Sequence, residues 1–530
     1  MPGTDAERNA SADREEIGGP YAHYVLGVLA LVYVFNFLDR QILSILNERI
    51  KADLGLGDAQ MAFLYGTAFA VFYAVFGIPL GRLADVWNRR SLISIGLGFW
   101  SVMTALSGLA RSFGQLAAAR IGVGVGEASA TPAAFSLLSD YYAPARRATV
   151  LAIYSSGIYI GAGLGLMIGG QIVERWETAF AGTTAPFGLA GWQVAFFAVG
   201  LPGLLMALWV RTLREPRRGQ AEGIDSPDEP HPHPFAEFGR ELRSVIPPFT
   251  VFHLRSLGAG RRGLALNGAA ALVIAAVAAL LTALTGDAAQ WIALAIGVYA
   301  AFSWSQSLAL RDRPTSALLF GTPSLRWLCI GLGFLAFTGY GVGYWTAPFF
   351  VRMHGVSEGD VGFFVGGAAA AGGWLGVTLG GILADILRRR AVPGRLWVGM
   401  AAAVLPLPFG FWMLGTSSTT TAFIVNFPVS VLTSMWIGVG ASTVTDLVLP
   451  RMRASASAFY LMMLTFIGLA LGPYTIGLLS DALGDLRMAM RIGFSANVAA
   501  LLCLLVAARH LARDEETLRD RARAAGETSI

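Results

Sequence analysis

The chain is poor in charge, in cysteine and in lysine. Only 14% of its 530 residues are charged and 55% are hydrophobic, whereas a soluble domain carries about 25% charge. So few polar groups cannot cover a water-exposed surface, so we expect lipid to be the solvent for much of the chain. The two cysteines, Cys329 and Cys503, lie inside apolar runs, which argues against a disulfide framework.

Motifs for metal, cofactor and nucleophile chemistry are also missing from the sequence. The six histidines are scattered, without HExxH or a similar ligand spacing, and no ATP-binding glycine loop is visible. We therefore expect no metal, no cofactor and no enzymatic activity. The net charge of +5 does not indicate nucleic acid, because the arginines gather in short loops, as they do in membrane proteins.

Long apolar runs are abundant instead. About 20 apolar residues cross ~30 Å of hydrocarbon, and backbone hydrogen bonding forces such runs to be helices. We predict six spans, then a pair, then six more, which makes fourteen. They lie at about 22–48, 60–83, 92–110, 114–138, 147–172 and 190–211, then 264–285 and 289–310, then 327–351, 360–385, 396–415, 421–449, 455–480 and 488–509.

The charge pattern predicts the domain organisation and topology. Arginines cluster in alternate loops, which places both termini on the cytoplasmic side of a cell (inner) membrane. The pair of spans is an even insertion, so the second half keeps the orientation of the first, and we expect this hairpin to pack at the periphery. The predicted parts are a tail at 1–21, a six-helix bundle at 22–211, a linker at 212–326 with the hairpin at about 264–310, a second bundle at 327–509 and a tail at 510–530.

A pentad of the form G-x-L-A-D occurs twice, at 81–85 and 381–385, and arginines follow each copy. A second motif, at Pro144 and Pro450, also repeats at matching places, so we predict two bundles related by pseudo-two-fold symmetry. The aspartates can pair with nearby arginines in one state and release them in another, which would make a conformational latch. Ordinary loop charge that only sets topology is the alternative. The latch candidates are Gly81, Asp85, Arg89, Arg90, Gly381, Asp385 and Arg388.

Four charged residues lie deep in the first and fourth spans, where each costs about 2.5–3.5 kcal/mol. Arg120, Gly124 and Glu127 share one helix face at i, i+4 and i+7. The helical rise places Asp39 and Arg120 at similar depth, roughly 20 Å from the cytoplasmic side, with Arg40 free to face Glu127 or a substrate anion. We predict that these four charges couple proton uptake to conformation. Buried salt bridges that only fix packing are the alternative.

The candidate substrate-binding residues come from both halves. The first half supplies the charges, whereas the second half supplies aromatic side chains and no mid-membrane charge that can be placed. Such a cavity suits an anionic head with an apolar tail, and hydrophobic drugs almost as well; aromatic residues are also common in a plain core. The candidates are Asn36, Phe37, Arg40, Glu127, Tyr340, Tyr344, Trp345 and Trp436.

These motifs resemble those of the major facilitator superfamily over nearly the whole chain. The stretches 81–90 and 381–390 are similar to its loop signatures, and 120–127 to its helix-four motif. More narrowly, NFLDR at 36–40 and GVGEA at 124–128 resemble the Spinster branch, which implies transport of lysolipids or sphingosine-1-phosphate. The resemblance also implies that Asp39 is a protonation site. The inserted hairpin and the lack of Gly-Pro in the fifth span depart from the common pattern.

We therefore expect an all-α membrane protein with the major facilitator fold. The expected function is secondary active, proton-coupled transport of an amphipathic substrate of the sphingosine-1-phosphate or lysophospholipid type, by alternating access. The expected partners are this substrate, protons and membrane lipid, and the expected state is a monomer. A multidrug or organic-anion transporter of the same fold, or an uncoupled facilitator, remains the alternative.

Overall fold

Helices make up the regular secondary structure of residues 17–222 and 232–527, which are the residues that the computed structural model describes. The predicted tails and linker therefore lie partly outside the described residues. The first half contains α1 (Pro20–Ile45), α2 (Asn47–Leu54), α3 (Asp58–Tyr65), α4 (Thr67–Val86), α5 (Arg89–Ser107), α6 (Phe113–Glu127), α7 (Ala130–Tyr141), α8 (Pro144–Ala179) and α9 (Gly191–Arg211).

The remaining helices form an intervening region and the second half of the protein. The intervening region contains α10 (Pro234–Val245), α11 (Phe249–Ser256), α12 (Arg261–Thr285), α13 (Ala288–Arg311) and α14 (Arg313–Gly321). The second half contains α15 (Pro323–His354), α16 (Glu358–Arg390), α17 (Gly394–Val404), α18 (Pro406–Gly415), α19 (Thr419–Ser434), α20 (Ile437–Asp446), α21 (Arg453–Met463), a π-helical segment (Leu464–Ala470), α22 (Leu471–Leu483), α23 (Leu486–Gly493), α24 (Ala496–Glu516) and α25 (Leu518–Ala524).

Thirteen helices in the described residues are long and apolar enough to cross a membrane. Several of them are two helices joined at a bend, such as Asp58–Val86, which unites α3 and α4. The fourteenth predicted span is α5, which has only 19 residues and opens on Arg89 and Arg90. The structure confirms the prediction of an all-helical membrane protein with two six-helix bundles and an inserted hairpin.

Glycines allow the helices to approach closely where the bundles are built and where they meet. A Cβ atom on Gly165 of α8 would lie 2.9 Å from the carbonyl oxygen of Leu38 in α1. A Cβ atom on Gly163 of α8 would lie 2.5 Å from the carbonyl oxygen of Gly366 in α16. Small residues drive such contacts in lipid, where no hydrophobic effect brings helices together. The α8–α16 contact is therefore one of the two seams between the halves.

The second seam joins α4 to the π-helical segment of the other half. The hydroxyl of Thr67 donates a hydrogen bond to the backbone oxygen of Ala470 at 2.9 Å. We call the membrane side that carries the start of α1 and the end of α24 the terminal side, and the other the opposite side. In residues 17–222 and 323–527, the hydrogen bonds found between the halves lie toward the opposite side. The opposite side is thus closed.

The inserted hairpin, formed by α12 and α13, lies beside the second seam. Its first helix is peripheral, as predicted, because only 11% of an apolar stretch within Arg261–Thr285 is buried inside the protein. Its second helix reaches both halves: a Cβ atom on Gly297 would lie 2.9 Å from the Phe466 ring and 3.0 Å from Val71. At the hairpin turn, the Tyr474 hydroxyl donates to the Asp287 carboxylate at 2.7 Å. The hairpin therefore bridges the two bundles.

Candidate functional site

The ion pair between Arg40 and Glu127 is the centre of the site. Arg40 lies on α1 and Glu127 at the end of α6, and Nε of Arg40 is 2.7 Å from Oε2 of Glu127. The guanidinium carbon lies 4.2 Å from the ring centroid of Phe69, 4.6 Å from that of Phe37 and 4.9 Å from that of Tyr73. These rings stabilise the cation through their π faces. The sequence left Arg40 free to face Glu127, and the structure brings the two together.

Asp39 and Arg120 also lie side by side, and Arg120 bonds to the backbone of Asp39 instead of its carboxylate. Nη1 of Arg120 donates to the backbone oxygen of Asp39 at 3.3 Å, and no ion pair between their side chains is found in the described residues. Asp39 is 19 residues beyond Pro20, or about 29 Å along α1 from its terminal-side end, compared with the roughly 20 Å expected from the sequence.

A group of tyrosines surrounds the Arg40 side chain. Tyr33 stacks on Tyr154 with ring centroids 4.4 Å apart, and Tyr33 and Tyr73 both lie within electrostatic range of Arg40. Tyr340 of the second half also lies within electrostatic range of Arg40. Among these, only Tyr340 was predicted. Tyr33 could have been found, because it precedes Phe37 and Arg40 by one and two helical turns.

The predicted substrate-binding residues divide into two groups. Asn36 lies against the Glu127 carboxylate, and Phe37 and Tyr340 lie around Arg40. Tyr344, Trp345 and Trp436 lie away from Arg40, because their large rings fill gaps between helices. Tyr344 and Trp345 are fully buried in the closed opposite side, and Trp436 is buried in the core of the second bundle.

Charged residues close the opposite side, and the sequence analysis did not find them. Arg352 at the end of α15 contacts Glu48 at 2.6 Å and Asp58 at 2.7 Å in the first half. Arg49 of α2 contacts Glu358 at the start of α16 at 2.7 Å. We call these five residues the opposite gate. The sequence signal that could have predicted the gate is the presence of opposite charges near the opposite-side ends of the spans in the two halves.

A carboxylate reinforces the opposite gate by capping a helix across the seam. Asp481 of α22 accepts hydrogen bonds from the backbone N–H groups of Asp58 at 2.9 Å and Ala59 at 2.8 Å. These are the first N–H groups of α3, which have no partner within the helix, and the helix dipole favours a negative charge there. The Ser44 hydroxyl also donates to the backbone oxygen of Tyr344 at 2.6 Å. The closure therefore combines ion pairs with a cap.

On the terminal side, the first predicted latch has different partners from those expected. Asp85 does not bond to Arg89 or Arg90 but lies 3.9 Å from Arg82 and is largely exposed. The α4 helix continues through Asp85, so its neighbour is the residue one turn earlier. Arg89 is buried instead and pairs with Asp140 and Glu215.

The second half repeats this arrangement with a shift along the chain. Arg395, not Arg388, pairs with Asp446, and it also lies 3.7 Å from Asp385. Arg388 pairs with Glu515 at 2.7 Å. Arg395 follows Arg89 by 306 residues, and Asp446 follows Asp140 by 306 residues. The two ion pairs are therefore the symmetric feature of the terminal side.

The glycines of the two pentads also lie in similar places. Gly81 faces Pro132 of α7, and a Cβ atom on this glycine would lie 4.0 Å from the Cβ of the proline. Gly381 lies beside Gly438 of α20, where a Cβ atom on Gly438 would lie 3.7 Å from the Gly381 Cα. Each glycine thus sits where a span of its own bundle passes closely.

Across 17–222 and 232–527, no group of three or more His, Cys, Asp or Glu side chains could hold a metal ion.

Comparison with known proteins agrees with this architecture. The family model for the Major Facilitator Superfamily matches residues 29–473. The chain belongs to that superfamily. It is similar to an MFS-type efflux pump of Mycolicibacterium smegmatis, at 27% identity over 94% of this chain and 92% of the relative. It is also similar to Protein spinster of Drosophila melanogaster, at 23% identity over 87% of this chain and 62% of the fly protein.

A solved structure narrows the assignment. The crystal structure of a bacterial homologue of the human lysosomal transporter Spinster, inward-facing and unoccupied, matches with a TM-score of 0.67 and 27% identity. The match covers 95% of this chain and 98% of that chain. As a member of the superfamily the chain is a transporter and not an enzyme, and within that superfamily it is similar to proteins of the Spinster branch.

Proposed function

We propose that this transporter moves an anionic, amphipathic lipid-like molecule, such as a lysophospholipid, by proton-coupled alternating access. The observation that carries the proposal is the Arg40–Glu127 pair among aromatic rings. A phosphate or carboxylate head group can bind the guanidinium with charge-assisted hydrogen bonds. The partly exposed rings of Phe37 and Tyr340 offer apolar surface to the tail.

Competition for Arg40 supplies the coupling in this proposal. When a substrate anion binds Arg40, Glu127 loses its counter-ion while its side chain remains fully buried. An unpaired carboxylate is costly in a low-dielectric interior, so Glu127 takes up a proton. Substrate binding and proton binding then favour each other. Asp39 and Arg120, which lie beside the pair, are the second part of the proposed relay.

The proposed orientation follows from the arginines. Arg89, Arg146 and Arg451 lie at the ends of the short terminal-side connections between spans, and positively charged connections face the cytoplasm. The terminal side is then cytoplasmic, in an inner membrane, with both termini inside. The closed opposite gate faces outward, so the conformation is inward-open. The terminal-side ion pairs would form the latch that holds the outward-open state, together with the pentad residues.

The test is a flux assay in proteoliposomes, with lysophospholipid as substrate and with or without an imposed pH gradient. We expect the gradient to accelerate flux in the unaltered protein, and Asp39→Asn and Glu127→Gln to remove the acceleration. Asp520→Asn is the matched control, because that carboxylate is exposed on α25. Flux that is equal in all three variants and independent of the gradient would show an uncoupled facilitator.

An efflux pump for hydrophobic drugs is the second candidate, because the M. smegmatis relative is named an efflux pump. Such a substrate needs the aromatic surface but not the cation. Arg40→Ala separates the two functions. Under our proposal, Arg40→Ala should abolish lysophospholipid flux. The drug pump is favoured if the unaltered protein carries no lysophospholipid and Arg40→Ala leaves the flux of a neutral or cationic dye unchanged.

A further inference from the structure

An apolar groove lies on the outer surface of the second half, between α16 and α19. Its volume is about 680 Å³, and it follows α19 from Thr419 to Phe427, which is about 12 Å of helix. The rings of Phe363 and Phe364 on α16 form the facing wall, and they are 57% and 50% exposed. These helices span the membrane, so the exposed side of the groove faces lipid. The proposed transport site uses none of the residues that line it.

His354, the last residue of α15, lies at the opposite-side end of this groove. Its Nδ1 is 3.2 Å from the Thr419 hydroxyl, and its ring lies beside that of Phe350, with centroids 5.5 Å apart. Phe350 in turn stacks on Phe423 of the groove at 4.3 Å. The Nε2 atom of His354 has no hydrogen-bond partner in the protein. The apolar groove therefore ends at an imidazole nitrogen that the protein leaves unbonded.

Two arginines of α23 lie at the same end. Arg487 and Arg491 are four residues apart, so they share one face of α23, and this helix packs against both α15 and α18. Nη2 of Arg491 would lie 3.4 Å from a Cβ atom on Gly415, the last residue of α18. Only three residues separate Gly415 from Thr419, and Arg487 lies within electrostatic range of His354. Three basic side chains thus gather where the groove meets the opposite side.

The two arginines of this basic cluster have no counter-ion in the protein. The Nε atoms of Arg487 and Arg491 lack a hydrogen-bond partner, and no carboxylate in the described residues pairs with either side chain. Arg49 and Arg352, on the same membrane side, instead pair with carboxylates of the opposite gate. Arg487 and Arg491 both remain partly exposed. They are therefore accessible to an anion, and a phosphate accepts charge-assisted hydrogen bonds from guanidinium groups.

We propose that the groove and the basic cluster together bind an anionic phospholipid from the opposite-side leaflet. An acyl chain lies in the groove, and the phosphate contacts His354, Arg487 and Arg491. The apolar lining suits the chain and the unpaired positive charge suits the head group, while the volume is within the 300–1,000 Å³ or so of typical ligand sites. This site is outside the proposed transport path and does not rest on the proposed function.

Native mass spectrometry of the delipidated protein in detergent tests the head group. It measures the dissociation constant of the first bound phosphatidylglycerol, compared with phosphatidylcholine of the same acyl chains. We expect the anionic lipid to bind about tenfold more tightly. Combining Arg487→Gln with Arg491→Gln should remove this preference. Combining Arg111→Gln with Arg175→Gln is the matched control, because it removes two exposed arginines from the same membrane side.

A second variant tests the acyl chain. Gly367 lines the groove, and a Cβ atom on it would meet nothing within 4 Å. A leucine at this position therefore fills the groove without displacing its neighbours. Gly367→Leu should weaken the binding of both lipids severalfold. Gly268→Leu makes the same change at an exposed, uncrowded position of α12 and should bind both as the unaltered protein does.

Each other outcome overturns the site. Equal affinity for the two lipids in the unaltered protein does so, as does a preference that survives the loss of both arginines. Inorganic phosphate that competes as strongly as the lipid would show an anion site without an acyl chain, and so would unweakened binding in Gly367→Leu. A preference lost in Arg40→Ala but kept without the two arginines would place the lipid in the transport site. If the paired variant fails to fold, Arg487→Gln alone decides. Failure of lysophospholipid transport leaves all these results in force.

Discussion

The Arg40 side chain remains partly exposed, whereas that of its partner Glu127 is fully buried. Their side chains are 13% and 0% exposed, although the pairing atoms are only 2.7 Å apart. A bulky anion can therefore approach the guanidinium but not the carboxylate, which only a small species such as a proton or water can reach. This asymmetry assigns different ligands to the two members of one ion pair, and it makes Arg40 the first residue to test.

Arg40→Lys should lower lysophospholipid transport by at least tenfold, which corresponds to about 1.4 kcal/mol. Lysine keeps the charge but lacks the planar fork that binds a phosphate and stacks on Phe37 and Phe69. Initial rates over a range of substrate concentrations give the measurement. Arg240→Lys, at an exposed position of α10, is the control. Wild-type rates in Arg40→Lys would show that only the charge matters.

Arg352→Gln should open the opposite side. The change removes contacts with Glu48 and Asp58 but leaves Arg49–Glu358 in place. Loss of about 1–2 kcal/mol of closure shifts the two-state equilibrium roughly five- to thirtyfold.

Distances between spin labels on α2 and α16 report this shift. Ala52 and Asp360 are exposed positions on either side of the gate, and the background needs Cys329 and Cys503 replaced. Arg111→Gln, in an exposed loop outside the gate, should leave the distribution unchanged. An unaltered distribution in Arg352→Gln would mean that Arg49–Glu358, Asp481 and the packing are sufficient to hold the gate closed.

The two symmetric arginines of the terminal side should differ in their effect on stability. Arg89 is 1% exposed, so Arg89→Ala leaves Asp140 and Glu215 without their counter-ion and should cost about 3–5 kcal/mol. Arg395 and Asp446 are more exposed, and Arg395→Ala should cost about 1 kcal/mol or less. Unfolding midpoints in one detergent compare the two. Equal losses would contradict the ranking by burial.

Stability should fall in mild acid through His253. Burial and the neighbouring Arg311 hold the pKa of His253 below its usual value near 6.5. The folded protein therefore binds fewer protons than the unfolded chain, so this contribution is intact above about pH 6.5 and declines as the pH falls below it. Melting temperatures at about pH 7.5 and pH 5.5 test the effect. His253→Gln should reduce the difference between them, and an undiminished difference would assign it to other groups.

The bond between Tyr474 and Asp287 should couple the hairpin to the second half. A double-mutant cycle with Tyr474→Phe and Asp287→Asn measures this coupling, which we expect to be about 0.5–1.5 kcal/mol. Tyr299→Phe, which alters a bond to Asn267 inside the hairpin, is the control and should be additive with Asp287→Asn. Additivity in the main cycle would show that the hairpin turn is not held to α22.

Much of the fold could be predicted because it depends on local features. Apolar runs of membrane length give the spans, and glycines at four-residue spacing in α8 give its close contact with α1. The pairing of Arg40 with Glu127 could also be predicted, because charged residues deep in neighbouring spans have few other charged partners.

The opposite gate could not be predicted in this way. Arg352 is 304 residues from Glu48 and 294 residues from Asp58, and their contact depends on how two whole bundles tilt toward each other. No local pattern encodes that tilt. For the same reason Tyr344 and Trp345, which look like cavity residues in the sequence, lie in the closed seam. The burial of such residues depends on the conformation of the whole protein, and not on the helix that contains them.

The shift between the two repeats has a practical consequence. The pentads lie 300 residues apart, whereas the arginine–aspartate pairs lie 306 apart, so the second half holds six extra residues between Asp385 and Arg395. The structure accommodates them by extending α16 to Arg390 before a short turn. The turn at 391–393 is therefore a natural place to insert an epitope or a rigid fiducial domain for imaging, at a site where the chain length already varies without loss of the ion pair.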